Sequence, residues 1–210
     1  YAGSLGVTSS SGPGIALMQE GVGHLGSAEV GLVIVDCQRA GPSTGMPTKP
    51  EQSDIGMLIH GSNGDVPRIV LAPGDPTEAF ELTALAMSVA ERYQGPVIIL
   101  SEHQLSDRQQ DMPRPDLDSV AIENRVAYRG DDGYRRYEAL GLSPMPIPGS
   151  RGSYSGNGSE HDSVGDTTHF PWRHTQMTER RFSKLKLLTD GTYESENQDA
   201  DVVMLPWGAS

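Results

Sequence analysis

The sequence predicts an α/β protein in which helices flank a parallel sheet. Three short apolar runs rich in branched residues lie at 30–36, 68–71 and 97–101, and each is bounded by Gly, Pro or charged residues, as buried strands are. A helical pattern lies between the second and third runs, and Gly95 and Pro96 close it directly before the third. A strand, a helix and a strand joined by short connections are typical of a parallel sheet.

The helix between the second and third runs carries clear start signals. Asp75 stands at the N-cap, Pro76 in the first turn and Glu78 at the capping-box position. Its apolar residues then recur at helical spacing: Ala79, Phe80, Leu82, Leu85, Ala86, Val89, Ala90 and Tyr93. A second helix is predicted earlier, over about 13–25, behind a loop at 8–12 that is rich in hydroxyl groups and glycine.

The later part of the sequence loses this regular pattern. Residues 107–175 contain many Pro, Gly, Ser and Asp residues without a sustained hydrophobic period, which predicts an extended arm of irregular structure. Long segments of this kind normally carry a function or an interface. A basic amphipathic helix is predicted over about 177–188, and its cationic residues are Arg180, Arg181, Lys184 and Lys186.

Three parts are expected along the chain. Residues 1–106 form the α/β domain, 107–190 form the arm and linker with the basic helix, and 191–210 begin a further α/β domain whose first strand is 201–207. The chain begins at Tyr1 without Met or a secretion signal. We therefore expect the sequence to start inside a longer chain, so that the first strands of the sheet are missing from it.

Composition argues against several classes of protein. The formal net charge of −12 at pH 7 argues against nucleic-acid binding, because phosphate neutralisation needs clustered Lys and Arg. No run approaches the roughly 18 apolar residues of a membrane span. The single cysteine, Cys37, excludes an internal disulfide and cannot supply the set of thiolates that holds an iron–sulfur cluster. Its place after the apolar run 30–36 favours a buried structural thiol over a nucleophile, in a reducing, cytoplasmic compartment.

The string from Gly21 to Gly26, GVGHLG, matches the dinucleotide-binding fingerprint. That motif follows a strand and opens a helix, whereas this string falls late in a predicted helix and precedes a strand. Its glycines are therefore expected to allow close packing on the sheet.

Three histidines in the arm, His161, His169 and His174, are candidate metal ligands. They lack a ligand spacing as strong as a paired CxxC or HExxH motif. We expect Glu160, His161 and Asp162 to cap or hydrogen-bond the arm, with no metal bound.

The most informative stretch runs from Asp36 to Lys49, DCQRAGPSTGMPTK. It leaves the carboxyl end of a predicted parallel strand, where open α/β sheets bind their ligands. Arg39 offers a guanidinium fork among hydroxyl groups and exposed backbone amides, a set that suits a small carboxylate with an adjacent oxygen. An anionic substrate needs such a local positive charge in a chain this acidic. The alternative is a Gly/Pro turn with a solvated Arg39.

At this stretch the sequence resembles a known family. The block TSSSGPG at 8–14, followed by a helix and then VIVD at 33–36, resembles the pyrimidine-binding domain of thiamine diphosphate enzymes. The continuation QRAGPSTGMPTK at 38–49, with Glu51 and Gln52 following, is similar to the alpha subunit of 2-oxoacid:ferredoxin oxidoreductases. Three later strings also resemble that family: RIVLAPG at 68–74, YQGPVI at 93–98 and GSEHD at 158–162.

This resemblance implies a reaction and a set of site residues. The thiamine ylide attacks the keto carbon of a 2-oxoacid (2-oxoglutarate or pyruvate), carbon dioxide leaves, and coenzyme A takes the acyl group. Electrons pass singly through an iron–sulfur centre to ferredoxin. By matching position, Arg39 would hold the substrate carboxylate as the catalytic residue, and Thr44, Thr48 and Ser43 would line the substrate site. The implied cofactor-binding residues are Ser10, Ser11 and Gly12.

The same resemblance implies that this chain does not work alone. The family's glutamate that activates the aminopyrimidine lies before the SGPG turn, upstream of Tyr1, and is absent from the sequence. Thiamine diphosphate would be shared with a beta subunit, which would also hold Mg²⁺ and a [4Fe–4S] cluster, in agreement with the missing Cys ligands. The expected partners are the beta subunit, ferredoxin, coenzyme A and the 2-oxoacid, and the chain alone is expected to be inactive.

Two alternatives stay open. A different thiamine diphosphate enzyme, such as a decarboxylase or synthase without ferredoxin, would share only the pyrimidine-binding domain. A non-catalytic interaction subunit would keep the fold without the chemistry, although the complete set of Arg39, Thr44 and Thr48 argues against an idle loop. The choice among 2-oxoacids depends on the walls of the pocket.

Overall fold

A computed structural model describes residues 1–189, 195–197 and 199–209. Its centre is a parallel sheet of four strands in the spatial order β1-β2-β4-β3. The strands are β1 (Gly6–Ser10), β2 (Leu32–Gln38), β3 (Ile69–Leu71) and β4 (Pro96–Glu102). The predicted parallel sheet with flanking helices is confirmed.

Six α-helices accompany the sheet in the described residues. They are α1 (Gly12–Leu17), α2 (Gln19–Ala28), α3 (Ile55–His60), α4 (Pro76–Tyr93), α5 (His103–Asp107) and α6 (Pro171–Ser183). Two 3₁₀ turns cover Leu117–Ser119 and Lys184–Leu187. The predicted start of α4 is confirmed, because the Asp75 carboxylate accepts a 2.9 Å hydrogen bond from the backbone N–H of Glu78.

The predicted helix bounds needed two corrections. The single helix expected over 13–25 is two helices, α1 and α2, which meet at Met18 and extend to Ala28. The basic helix begins earlier than predicted, with Pro171 in its first turn, and its last turn tightens into the 3₁₀ turn after Ser183. The exposed aromatic residues before 177 hid the first turns of α6 from a search for hydrophobic periodicity.

The sheet is covered on both faces, which is why its strands read as continuous apolar runs. One core cluster joins α4 to the strands and consists of Val33, Ala86, Val89, Ala90, Tyr93, Val97 and Ile99. The other joins α1, α2 and α3 to the opposite face and consists of Ile15, Val22, Ile34, Leu58, Ile98 and Leu100. Side chains alternate along β2, so Asp36 lies on the same face as Ile34, toward α1 and α3.

Strand β1 was not predicted as a strand, because its residues were assigned to a loop rich in hydroxyl groups. Its alternation of half-buried and exposed side chains, with Val7 55% exposed, is that of an edge strand rather than of a buried run. Strand β2 ends two residues later than predicted, because its pairing with β4 continues to Gln38 opposite Glu102.

The arm is irregular, as predicted, yet it is fastened to the sheet domain. Two isolated bridges join Ala127 to Met145 and His161 to Thr167. The phenolic O–H of Tyr137 donates to the carbonyl of Ala28 at 3.0 Å. A third small cluster, Ala28, Val30 and Met145, packs the arm against the end of α2.

Residues Glu160, His161 and Asp162 hydrogen-bond the arm, which confirms that interpretation of the GSEHD string. Glu160 pairs with Arg181 of α6 and with His174, and these contacts hold its pKa below the usual value although burial opposes them. One carboxylate oxygen of Asp162 accepts from the backbone N–H groups of Val164 and Asp166 at 2.9 and 3.1 Å.

The glycine string 21–26 lies inside α2 and opens no helix after a strand, so the fingerprint geometry does not form. Gly26 lies against Val66, in the segment before β3, so at this position the close packing is with a loop and not with the sheet.

The segment after α6 does not extend the sheet in the part of the chain that is described. Residues 201–207 form no strand there, and Val202 to Leu205 are exposed. A strand needs a partner for its backbone hydrogen bonds, and the described residues of this segment pair with no strand of the sheet. A further domain was expected to begin at 191–210, but residues 191–194, 198 and 210 lie outside the described residues. Residue 190, at the end of the arm, also lies outside them. The boundaries at 106 and 190 stay predictions. No helix in the described ranges is both long and apolar enough to cross a bilayer.

Candidate functional site

The carboxyl ends of the four strands meet at one edge of the sheet, which we call the carboxyl edge. Ser10 at the end of β1 is paired with Asp36 of β2, and Glu102 at the end of β4 is paired with Gln38. The segment that leaves this edge after Gln38 and returns to α3 at Asp54 is residues 39–53. We call it the substrate loop after the role that the sequence predicts for Arg39. The candidate site is therefore assembled from connections after at least three strands.

Buried polar atoms without a hydrogen-bond partner concentrate at this edge. In the described residues they include both carboxylate oxygens of Asp36, Nε2 of Gln38, Nε of Arg39 and Oδ2 of Asp54. Buried polar groups in proteins are nearly always paired, so each unpaired group needs an explanation. Two of these groups, on Gln38 and Arg39, are donors, which is what an anionic or carbonyl-bearing ligand requires.

The substrate loop is closed on itself by backbone hydrogen bonds. The N–H of Ala40 donates to the carbonyl of Lys49 at 2.9 Å, and the N–H of Met46 donates back to the carbonyl of Ala40 at 3.0 Å. Gly45 has φ +53°, and a β-carbon there would lie 1.8 Å from the Ala40 carbonyl oxygen, so only glycine fits this turn. The Gly41–Pro42 peptide bond is cis. The loop thus has one defined shape.

Arg39 is held at the mouth of this loop. Its Nη2 donates to the backbone carbonyl of Thr44 at 3.2 Å, its Nε is buried without a partner, and the side chain is half-buried. A guanidinium has five N–H donors, so Arg39 keeps donors for a second group after the contact with Thr44. The side chain is thus partly solvated, and the alternative of a Gly/Pro turn with a solvated Arg39 stays open.

The other predicted substrate residues lie on the outer side of the loop. Ser43, Thr44 and Thr48 are exposed, and Thr44 contacts Arg39 through its backbone rather than its hydroxyl. No hydrogen bond in the described residues joins Arg39 to Ser43 or Thr48. Ser43 and Thr48 have φ of 59° and 66°, which places them in the left-handed region. The loop therefore brings together Arg39 and Thr44, and presents Ser43 and Thr48 to a group that comes from outside.

Thr48 is a β-branched residue in a conformation that costs such residues about 1–2 kcal/mol. We expect Thr48→Gly to raise the thermal unfolding midpoint of the protein slightly, because relief of this strain exceeds the added backbone entropy of glycine. Thr44→Gly is the matched control, since Thr44 lies in the same loop without a positive φ and should lose stability. An equal loss of stability in both variants would show that Thr48 stores no strain.

The predicted cofactor residues Ser10, Ser11 and Gly12 form the turn from β1 into α1. Ser11 is the N-cap of α1, and its hydroxyl makes no capping hydrogen bond, so it remains available. Gly12 faces inward, where a β-carbon would lie 2.6 Å from Oδ2 of Asp54. Ser10 is turned toward Gly14 of α1. Of the three, Ser11 is the residue best placed by its free hydroxyl to meet a ligand.

Cys37 is exposed, so the prediction of a buried structural thiol is wrong. Side chains alternate along a strand, and Cys37 points away from the face on which the buried Asp36 lies. Partial desolvation, followed by the neighbouring Asp36 carboxyl, raises the pKa of the thiol. A thiol that holds its proton more firmly is a weaker nucleophile at neutral pH, which agrees with the prediction that it is not a nucleophile.

Asp36 and Asp54 form a carboxyl pair under the substrate loop that the sequence did not predict. Burial, and then repulsion by Asp54, raises the pKa of Asp36 to about 7, and burial also raises the pKa of Asp54. An acidic residue at the end of an otherwise apolar run was a visible signal. Its partner was not, because Asp54 lies beyond the loop and reaches Asp36 only through the packing of α3 on the sheet.

A second unpredicted contact lies beside the loop, where residues 207–209 cross the carboxyl edge. Nε2 of Gln52 donates to Oε1 of Glu102 at 3.0 Å and to the carbonyl of Trp207 at 3.3 Å. The same Glu102 oxygen accepts from the backbone N–H of Ala209 at 2.8 Å, and Gly208 between them has φ +68°. The end of the described chain is thus seated against the returning end of the substrate loop.

The chain is similar to proteins of one known family. Residues 1–179 match the protein family described as "Pyruvate flavodoxin/ferredoxin oxidoreductase, thiamine diP-bdg". Among solved structures, the chain is similar to a 2-oxoglutarate:ferredoxin oxidoreductase from Magnetococcus marinus with 2-oxoglutarate, coenzyme A and succinyl-CoA bound, with a TM-score of 0.83 and 40% sequence identity. That likeness covers 91% of this chain and 34% of the other.

The chain is also similar to oxidoreductase subunits from bacteria and archaea. It is 35% identical to the 2-oxoglutarate oxidoreductase subunit KorA of Mycobacterium tuberculosis over 217 residues, which is 100% of this chain and 33% of that protein. It is 39% identical to subunit alpha of 2-oxoacid:ferredoxin oxidoreductase 1 of Sulfurisphaera tokodaii over 185 residues, 86% of this chain and 29% of that protein. The chain spans about a third of the length of these relatives.

Proposed function

Because the chain belongs to the thiamine diphosphate-binding family of pyruvate flavodoxin/ferredoxin oxidoreductases, we propose that it is the substrate-loop part of a 2-oxoacid:ferredoxin oxidoreductase alpha subunit. The reaction would be the oxidative decarboxylation of a 2-oxoacid with coenzyme A, giving an acyl-CoA, carbon dioxide and electrons for ferredoxin. The observation that carries the proposal is Arg39, a half-buried guanidinium with an unpaired buried Nε at the carboxyl edge.

The role of Arg39 would be to fix the 2-oxoacid by its carboxylate. A guanidinium can grip two carboxylate oxygens in one plane, and the contact with Thr44 already limits its freedom. The exposed hydroxyls of Ser43, Thr44 and Thr48 would donate to the carboxylate or the keto oxygen. Holding the anion in one orientation lowers the barrier by removing the entropy cost of alignment.

Thiamine diphosphate is the cofactor that this family implies, and the residues at the carboxyl edge fit one wall of its site. When bound, it supplies the nucleophilic carbon and the electron sink of the decarboxylation. The free hydroxyl of Ser11 and the unpaired Nε2 of Gln38 would face the polar parts of such a group. We propose, as the resemblance to this family implies, that the diphosphate, Mg²⁺ and a [4Fe–4S] cluster are held by a beta subunit.

We propose 2-oxoglutarate as the first substrate to test, because proteins similar to the chain are named for it. The experiment uses the complete alpha chain purified with its beta subunit. Reduction of a viologen dye is measured with 2-oxoglutarate, pyruvate and a branched 2-oxoacid, each with and without coenzyme A. We expect reduction that requires both coenzyme A and one of these 2-oxoacids, and pyruvate is the second candidate.

Carbon dioxide release, measured in the same reactions, separates the alternatives. A thiamine diphosphate decarboxylase or synthase of another kind would release carbon dioxide without reducing the dye. A non-catalytic interaction subunit would give neither carbon dioxide nor reduced dye with any 2-oxoacid, and that result would reject the proposed function.

A further inference from the structure

The carboxyl groups of Asp36 and Asp54 meet beneath the substrate loop, and no described residue donates a hydrogen bond to either oxygen of Asp36. Asp36 is completely buried, and neither of its carboxylate oxygens has a partner when both groups are ionised. The side chains of Asp36 and Asp54 lie within hydrogen-bonding reach of each other. Two ionised carboxylates can only accept hydrogen bonds, so the pair is satisfied only when one of them carries a proton.

This pair stands where the substrate loop leaves the sheet and where it returns. Asp36 precedes Gln38 at the end of β2, and Asp54 is the N-cap of α3. A second contact joins the same two ends, because the backbone N–H of Asp54 donates to Oε1 of Gln38 at 3.3 Å. Gly12 of α1 closes the site from the side, against the Asp54 carboxyl. Any separation of the carboxyl groups would therefore open the base of the loop.

We propose that Asp36 and Asp54 share one proton and that this proton holds the two ends of the substrate loop together, so that the pair positions Arg39. The inference rests on the proposed function only for the role of Arg39 in substrate binding. The pair itself touches no substrate and acts through the loop.

The charged and titratable surroundings of the pair are few. Cys37 neighbours Asp36, and Glu51 of the substrate loop adds negative potential at Asp54, while the Ser53 hydroxyl hydrogen-bonds the Asp54 carboxyl. The folded pair keeps its proton to about pH 7, whereas an aspartate in the unfolded chain has its ordinary pKa of 3.8. The unfolded state therefore binds fewer protons between these values. Stability therefore falls as the pH rises through this window, and above it the ionised pair repels.

The first test measures the substrate loop directly. Hydrogen exchange of residues 39–53 is followed in the assembled enzyme between about pH 6 and pH 8.5, corrected for the intrinsic exchange rate. We expect protection of this segment to fall about tenfold as the pair ionises. In Asp36→Asn the amide donates to Asp54 at every pH, so the fall should disappear.

The second test separates positioning from a general loss of structure. In the wild type we expect the KM of the 2-oxoacid to rise about tenfold over the same pH range with a smaller change in kcat, and in Asp36→Asn we expect KM to stay constant. Asp36→Ala, which has no donor, should show the high KM at all pH values. Asp65→Asn, an exposed residue outside the loop and the site, should match the wild type.

Each outcome has one meaning. Loop protection that is independent of pH, or an Asp36→Asn variant that follows the wild-type profile, would overturn the shared-proton inference. If Asp36→Ala does not fold, the comparison between the wild type and Asp36→Asn still decides. A pH-dependent loop in a protein that turns over no 2-oxoacid would reject the proposed function and leave the inference on the pair standing.

Discussion

Replacing Arg39 by alanine in the assembled enzyme should lower kcat/KM for the 2-oxoacid by about 100- to 1000-fold, the loss that follows removal of one well-placed donor from a site. Arg39 is the half-buried cation at the mouth of the substrate loop, and its Nε lacks a partner. Steady-state kinetics with a viologen dye as electron acceptor measures the effect.

Two variants make this prediction specific. Arg39→Lys keeps the charge but loses the planar fork, so it should restore only part of the activity. Arg151→Ala removes an exposed arginine of the arm, paired with the exposed Asp131, and should leave kcat/KM unchanged. Copurification of the beta subunit with each variant shows that assembly is intact. Normal kinetics in Arg39→Ala would reject the role of the loop in substrate binding.

The second large effect concerns stability and lies at the opposite end of the sheet. Glu29 directly follows α2 and is 1% exposed. Its carboxylate is the counter-charge of a cluster of buried cationic side chains. Arg180 of α6 grips it with two hydrogen bonds of 2.8 and 3.1 Å, and Lys184 forms an ion pair with it. Arg136 of the arm donates to the Glu29 backbone carbonyl. Burial alone would raise the pKa of Glu29, but Lys184 and Arg180 hold it at about 2.

We expect Glu29→Gln to destabilise the docking of the arm and α6 by about 3–5 kcal/mol, because it leaves buried cations without their counter-charge. Native-state hydrogen exchange of the arm around Arg136 in the complete protein measures this local stability. The matched control is Glu123→Gln, which affects a more exposed pair with Arg92 and should cost less than about 1 kcal/mol. A cost as small as that of the control would show that the cluster does not fasten the arm.

Lys184 gives the same cluster a pH dependence. Burial lowers the pKa of Lys184 from its ordinary value of 10.5 to about 8, although Glu29 opposes the shift. The unfolded state therefore binds more protons between about pH 8 and 10.5, and stability of the wild type rises with pH in that window. The Lys184→Met variant has no cation to bury at this position. The stability that it gains over the wild type should therefore be largest below pH 8 and shrink above it. A difference that does not change with pH would contradict the assignment.

The sequence by itself determined the class of fold and predicted the place of the candidate site. Apolar runs between Gly and Pro, and the capped helix α4, fixed a parallel sheet, because periodicity and capping are local properties of the chain. The motif around Arg39 located the substrate loop for the same reason, since it follows the strand it belongs to. Strand β1 was not predicted, because the sequence of an edge strand of small and hydroxyl residues resembles that of a loop.

Only the tertiary structure decided which residues act together. Asp36 and Asp54 are separated by the substrate loop, and Glu29 meets Arg180 and Lys184 across more than a hundred residues of chain. Their partners depend on which helix packs against which face of the sheet, and a local pattern carries no record of that packing. The exposure of Cys37 was also visible only in the structure, because alternation along β2 gives the face of a side chain but not what covers it. Charged groups that are costly to bury find their partners in the folded chain, so their chemistry becomes visible only there.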